Sequence, residues 1–228
     1  MKLSDTTISV LKNYSTINQN LMIKSGSNLS TVSAMKNIVA SAEVSETFER
    51  EVAIYDLNEF LATLSLFNNP DLDFQDDYVV LSEEGSGRKA RYWYSDPSVV
   101  TTPTKEITMP DPDITFSLSS EELSDVTKAA AVIGAPDMCL DPSGLKVTDK
   151  KNDTANDYSL PIVQKGSEVV DYKFWFKVEN LKILPGTYDV SVSSKKISKF
   201  SHTNGVNIEY FIALENESKY SFTPNVDD

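Results

Sequence analysis

One structural pattern occurs twice along this chain, and that duplication limits the fold more than any single motif does. Ser4 to Tyr14 has helical periodicity: Ile8, Val10, Leu11 and Tyr14 share one arc, and Ser9, Lys12 and Asn13 point the other way. The pattern returns as Ser120 to Ala131, which leads on to Ile133. Here Leu123, Val126, Ala130 and Ile133 are on the apolar side and Ser124 and Lys128 opposite. Behind each helix comes a polar turn bearing lysine, Lys36-Asn37 and then Lys150-Lys151-Asn152. Each turn is followed by a strand running into a Leu/Asn segment. These are Val52-Ala53-Ile54-Tyr55-Asp56-Leu57-Asn58 and Phe174-Trp175-Phe176-Lys177-Val178-Glu179-Asn180.

The 228 residues suffice for two domains of about 110 residues, each able to bury a core. The net charge of -13 is shared almost evenly between the halves, so neither is a basic tail or an acidic appendage. Such acidity argues against a surface that binds nucleic acid everywhere and leaves room only for a sparse basic lining. Solubility alone is the plainer account of the charge. No window approaches the roughly 20 apolar residues of a membrane span, and Met1-Lys2-Leu3-Ser4-Asp5 opens no secretory signal, so a cytoplasmic protein is expected.

Ser119 and Glu122 form a capping box at the start of the second copy of the helix. Leu57, Phe60, Leu61 and Leu64 keep i, i+3, i+4, i+7 spacing and predict a helix over Asp56 to Phe67. Its counterpart, Val178 to Leu184, is cut to a turn or two by Pro185-Gly186. Alternating runs predict strands over Leu21 to Lys24, Ile38 to Val44, Tyr78 to Leu81, Tyr158 to Val163, Thr187 to Val192 and Ile208 to Leu214. The expected fold class is α+β: two similar domains, 1–94 and 114–222, each an antiparallel sheet carrying two helices on one face. Prolines 97, 103, 110 and 112 make 95–113 an extended connector, and 223–228 a mobile tail.

Little here can do chemistry. His202 is the single histidine and Cys139 the single thiol, and there is no phosphate-cradling glycine loop and no nucleophile elbow. The carboxylates at Asp71/Asp73, Asp76-Asp77, Glu83-Glu84 and Asp111/Asp113 lack the spacing of a calcium loop and read as solvated turns. A non-enzymatic protein without metal or cofactor is expected. Trp93 between Tyr92 and Tyr94 offers either a base-stacking platform or packing in a core or subunit interface. Alternation favours packing, since it sets Trp93 on the face opposite Tyr92 and Tyr94.

Several segments together resemble the T4-type bacteriophage DNA polymerase sliding clamp family. They are Met1-Lys2-Leu3-Ser4, Leu11-Lys12-Asn13 and Thr16-Ile17-Asn18; Val52 to Asn58 with Phe60-Leu61 and Leu64-Ser65-Leu66; and Asp96-Pro97-Ser98 with Pro103, Lys105, Ile107 and Pro110. Tyr158-Ser159-Leu160, Pro185-Gly186-x-Tyr188 and Ile212-Ala213-Leu214-Glu215 carry the likeness over nearly the whole chain. The resemblance implies a DNA clamp fold, with helices on the inner face of a head-to-tail homotrimeric ring threaded by duplex DNA. It implies DNA-facing lysines at Lys12, Lys36, Lys128, Lys150 and Lys151. Ala131 stands where a further basic residue is expected, so DNA contact is light.

It implies a subunit interface between Arg88 to Tyr94 (Arg91, Tyr92, Tyr94) and Asp157 to Val163 (Tyr158, Leu160, Ile162). Apolar residues of the connector, Val99, Val100, Ile107 and Met109, are expected to border a groove for short partner peptides, the alternative being that they pin the connector to the sheet. The implied partners are duplex DNA without sequence preference, a DNA polymerase, an ATP-driven clamp loader and late transcription factors, in the cytoplasm of an infected bacterial host. The alternative is a virion component built from duplicated β-rich domains, with no DNA encircled.

Overall fold

The computed structural model describes residues 1–166 and 170–222. The expected tail at 223–228 lies outside them. The chain divides into two compact units, Met1–Glu106 with Val206–Ile208, and Ile107–Gly205 with the chain from Glu209 on. The division falls inside the expected connector.

In the first unit, α1 (Asp5–Ile17) is followed by β1 (Leu21–Ile23), β2 (Gly26–Val32), β3 (Ile38–Phe48) and β4 (Val52–Ile54). Then come α2 (Leu57–Leu64), β5 (Asp71–Phe74), β6 (Tyr78–Ser82) and β7 (Lys89–Trp93). β1 pairs with β4, β2 with β3, and β5, β6 and β7 form a meander, all antiparallel. α1 packs on β2, β3 and α2. It buries Thr7, Val10, Leu11, Tyr14 and Ile17, and the Tyr14 hydroxyl donates to the Leu29 carbonyl at 3.0 Å.

The expected apolar arc is therefore shifted by one residue at its start, with Thr7 buried and Ile8 only half-buried. The cause is Glu46 on β3. Alternation along that strand buries Ile38, Ala40, Ala42, Val44, Glu46 and Phe48 in one row, which puts a carboxylate under the first turn of α1. Glu46 accepts from the Ser4 backbone N–H and, at 2.5 Å, from the Thr7 hydroxyl. Burial raises the Glu46 pKa, but the donors from Thr7 and Ser4 outweigh it and hold the carboxyl below its ordinary value. α2 starts at its Asp56 cap and stops at Leu64, earlier than the predicted Phe67, where the chain tightens into i→i−3 turns, the Leu66 N–H donating to the Thr63 carbonyl at 3.3 Å and the Phe67 N–H to that of Leu64 at 3.2 Å.

In the second unit, β8 (Ile114–Leu118) leads into α3 (Ser120–Ile133), β9 (Asp137–Asp141), β10 (Gly144–Thr148), β11 (Tyr158–Leu160) and β12 (Gln164–Gly166). β13 (Val170–Lys177), β14 (Tyr188–Ser193), β15 (Ile197–His202), β16 (Asn207–Ala213) and β17 (Lys219–Phe222) complete it. One sheet runs β11-β10-β9-β13-β17 and another runs β12-β8-β14-β15-β16. Phe174, Phe176, Tyr188, Phe200 and Tyr210 fill the core as edge-to-face and stacked pairs. α3 has the predicted capping box and ends at Gly134 in the left-handed region, φ 65°.

The expectation of two helices in each domain needs correcting. Among its described residues the second unit has one α-helix, and the counterpart of α2 is a single 3-10 turn, Val178–Asn180. Pro185 withholds an N–H and disfavours helix at Leu184, so too few residues remain to offset the cost of nucleation. The predicted strand Tyr158 to Val163 is likewise cut at Leu160 by Pro161.

Candidate nucleic-acid interface and assembly edges

The exposed faces of α1 and α3 hold the two lysines that mark the duplication. At about 100° per residue, Lys12 lies almost opposite the centre of the buried arc of α1, and Lys128 almost opposite that of α3. Both side chains are exposed, and neither makes a salt bridge among the described residues. Lys12 also borders a groove of about 270 Å³ between α1 and α2, with Leu3, Ile8, Leu61, Leu64 and Leu72 in its lining.

The turn lysines behave differently from one another. Lys36 is exposed at the β2–β3 hairpin tip with φ 57°, where its N–H donates to the Ser33 carbonyl at 2.8 Å. The Ser33 hydroxyl accepts from the N–H groups of Asn37 and Ile38 and holds the turn. Lys151 is exposed on the β10–β11 connection. Lys150, expected to face DNA, turns inward instead. Its side chain is only 10% exposed, and its Nζ lies 3.4 Å from Glu217, 3.6 Å from Glu215 and 3.9 Å from Asp137, over the Trp175 ring. Lys177 also reaches the fully buried Asp137, at 2.6 Å, and that hydrogen bond raises the Lys177 pKa. Lys150 is thus held by carboxylates of its own unit and leaves the set of surface cations.

Among the described pairings β7 is an edge strand of its meander, with β5 at the other side, and β11 is an edge strand of the five-stranded sheet, with β17 at the other side. Gly144 brings β11 into place, since a Cβ there would sit 2.3 Å from the Leu160 carbonyl oxygen. On β7 the alternation divides the expected interface residues. Tyr92 is core: its ring meets Phe60 edge-to-face at 5.3 Å and its hydroxyl donates to the Asp56 carbonyl at 3.1 Å. The Tyr94 hydroxyl is buried without a partner, and burial pushes its pKa up to about 12. Arg91 and Trp93 occupy the outer face. The Arg91 guanidinium lies 4.4 Å over Tyr78, and Trp93 is 59% exposed. On and after β11, Tyr158, Leu160 and Ile162 are half-buried and Val163 is 88% exposed.

Of the expected groove residues, Val100 packs with Met22 and Ala53 and pins the chain after Trp93 to the first unit, so it is not free to line a groove. Val99 is 52% exposed, and Ile107 and Met109 are half-buried. Cys139 is buried, which pushes its thiol pKa up to about 12 and leaves it a poor nucleophile. Among the described residues no group of three or more His, Cys, Asp or Glu side chains could hold a metal, and no helix is long and apolar enough to cross a membrane.

Comparison with known proteins points the same way as the duplicated helices and open edges. Residues 2–92 match the family model described as DNA polymerase processivity factor, and residues 115–216 match that of the gp45 sliding clamp, C terminal. The sliding clamp of Vibrio phage KVP40 is 34% identical over 94% of this chain and 99% of its own length. That of Enterobacteria phage T4 is 29% identical over 97% and 100%. Among solved structures, Proliferating Cellular Nuclear Antigen from Entamoeba histolytica superposes with a TM-score of 0.66 at 17% identity, covering 94% of this chain and 97% of that one, which supports the fold alone. Two matched halves, a relative aligned along nearly its whole length and the clamp fold itself have one reading: the chain belongs to the T4-type phage sliding clamp family, the DNA polymerase processivity factors.

Proposed function

We propose that three copies close into a head-to-tail ring around duplex DNA and tether the replicative polymerase at the primer end. Family membership sets aside the alternative of a virion component. The observation that carries the reading is that β7 is an edge strand on one unit and β11 an edge strand on the other, the two segments that the family resemblance pairs across subunits. An edge strand offers unpaired N–H and C=O groups, and two unlike edges on one chain suit a heterologous contact that closes by rotation. Arg91 and Trp93 on β7, with Leu160 and Val163 on and after β11, supply the side chains of that contact. Tyr92 and Tyr94 support it from behind, and Tyr158 and Ile162 flank it.

Lys12 and Lys128 face the duplex from α1 and α3, and Lys36 and Lys151 are secondary contacts at turn tips. Retention comes from closure, and tethering raises the local concentration of polymerase without reading bases. An ATP-driven loader, and late transcription factors that use the loaded ring, are the further partners, with Val99, Ile107 and Met109 the docking residues on the connector. The setting is the cytoplasm of an infected bacterium. Sedimentation over a dilution series tests the assembly: the wild type runs as a trimer and Trp93→Glu as a monomer. A wild-type monomer at every concentration contradicts the ring.

A further inference from the structure

The duplication repeats more than the lysines. Asp5 precedes Lys12 by seven residues on α1, and Glu121 precedes Lys128 by seven on α3. Seven residues of helix return to within about 20° of the starting direction and advance roughly 10 Å, so each acid shares its lysine's exposed face two turns away. Asp5 and Glu121 are exposed, as are both lysines. Asp125, one turn before Lys128, is half-exposed beside it, and Glu59 is exposed on α2, which has no cation at all. The outward faces of the three helices thus show Asp5, Glu59, Glu121 and Asp125 against Lys12 and Lys128. They are net anionic where the family resemblance predicts a faintly cationic lining.

We propose that Asp5, Glu121 and Asp125 are working members of the DNA-facing surface: their carboxylates oppose the two lysines and hold the duplex off them, so that the clamp slides without sticking. This rests on the reading that α1 and α3 face the DNA. A plainer role exists for two of the three, since Asp5 and Glu121 lie in the first turns of their helices, where an acid favours the helix dipole. Asp125 lies beyond the first turn of α3 and gains nothing there. Phosphates spaced along a duplex feel all such charges within about one Debye length, roughly 8 Å at physiological salt. Three acids in each of three subunits therefore add up to an effect on the order of tenfold even when each alone is weak.

The test compares wild type with Asp5→Asn/Glu121→Gln/Asp125→Asn and with Asp125→Asn alone. Each is loaded on nicked circular DNA, and one-dimensional diffusion of the labelled clamp is measured alongside trimer content and Tm. Diffusion slowing roughly tenfold in the triple variant, and measurably in Asp125→Asn, with the trimer intact, is the expected result. Unchanged diffusion with retention on circles intact overturns the inference and spares the ring. A fall in Tm with no change in diffusion reduces the acids to helix-dipole partners and also overturns it. Failure of the wild type to remain on circles brings down the encirclement reading beneath it.

Discussion

Each unit carries a copy of the same helix and anchors it by different means. α3 is capped from within: Ser119 accepts from the Glu122 N–H at 3.2 Å, and the Glu122 carboxylate accepts from the Ser119 N–H at 2.7 Å. α1 has the same local hydroxyl cap, Ser4 accepting from the Thr7 N–H at 3.2 Å, but takes its acid from far along the chain, as Glu46 on β3 accepts from the Ser4 N–H and the Thr7 hydroxyl. The local cap forms with the helix itself, whereas the distant one forms only once β3 has docked. The units also differ at the far end. The second ties Lys150 and Lys177 to the buried Asp137, with the partly exposed Glu215 and the exposed Glu217 closing over Lys150, a charge cluster with no counterpart in the hydroxyl and carboxylate network around Glu46 in the first. The duplication thus keeps this helix and lets its fastenings diverge.

The largest effect expected from breaking this asymmetry is at Asp137. Replacing it with Ala takes the buried carboxylate from the partly exposed Lys177 and from Lys150, which keeps Glu215 and Glu217, and costs about 3 kcal/mol. Denaturant unfolding reads this as a lower midpoint, and an unchanged midpoint removes the cluster from the account. Next in size is Glu46→Ala, expected to cost about 1–3 kcal/mol by leaving the Thr7 hydroxyl and the Ser4 N–H unpaired.

The same residue sets a pH dependence. The folded pKa of Glu46 lies below its ordinary value of 4.5, so its contribution is complete above that pH and is lost as the pH falls through the depressed value. Glu46→Gln flattens that part of a Tm against pH profile, and a profile identical to wild type removes Glu46 as its source. The smallest effect is Glu122→Ala, about 1 kcal/mol or less and confined to α3. Amide exchange then quickens at the start of α3 and leaves α1 protected. Equal exchange at the two helices would erase the distinction between local and distant caps.

What could be read from the sequence follows the same division. α3 was legible because cap and periodicity lie within a short stretch of chain, though it runs past the predicted Ala131 to Ile133, where Gly134 ends it. The shortening of the second helix in the second unit was legible from Pro185, though its reduction to a 3-10 turn was not. β2 escaped because Gly26-Ser27-Asn28-Leu29-Ser30-Thr31-Val32 is mostly polar, and its pairing with β3 makes it a strand. The burial of Thr7 could have been inferred, since continuing the alternation from Ile38 past Val44 places Glu46 in the core row. Lys150 offered no such signal. Its inward turn depends on Asp137, Glu215 and Glu217, which are distant in sequence. On β7, alternation correctly separated Trp93 from its tyrosine neighbours but did not say which face was buried.

The central claim is retention by closure. Clamps loaded on nicked circular DNA and then filtered through a sizing column should stay with the circle at salt that abolishes ordinary phosphate contacts. A single restriction cut that linearises the circle should release them. Equal retention before and after the cut, or loss from the intact circle under the same salt, would contradict the account.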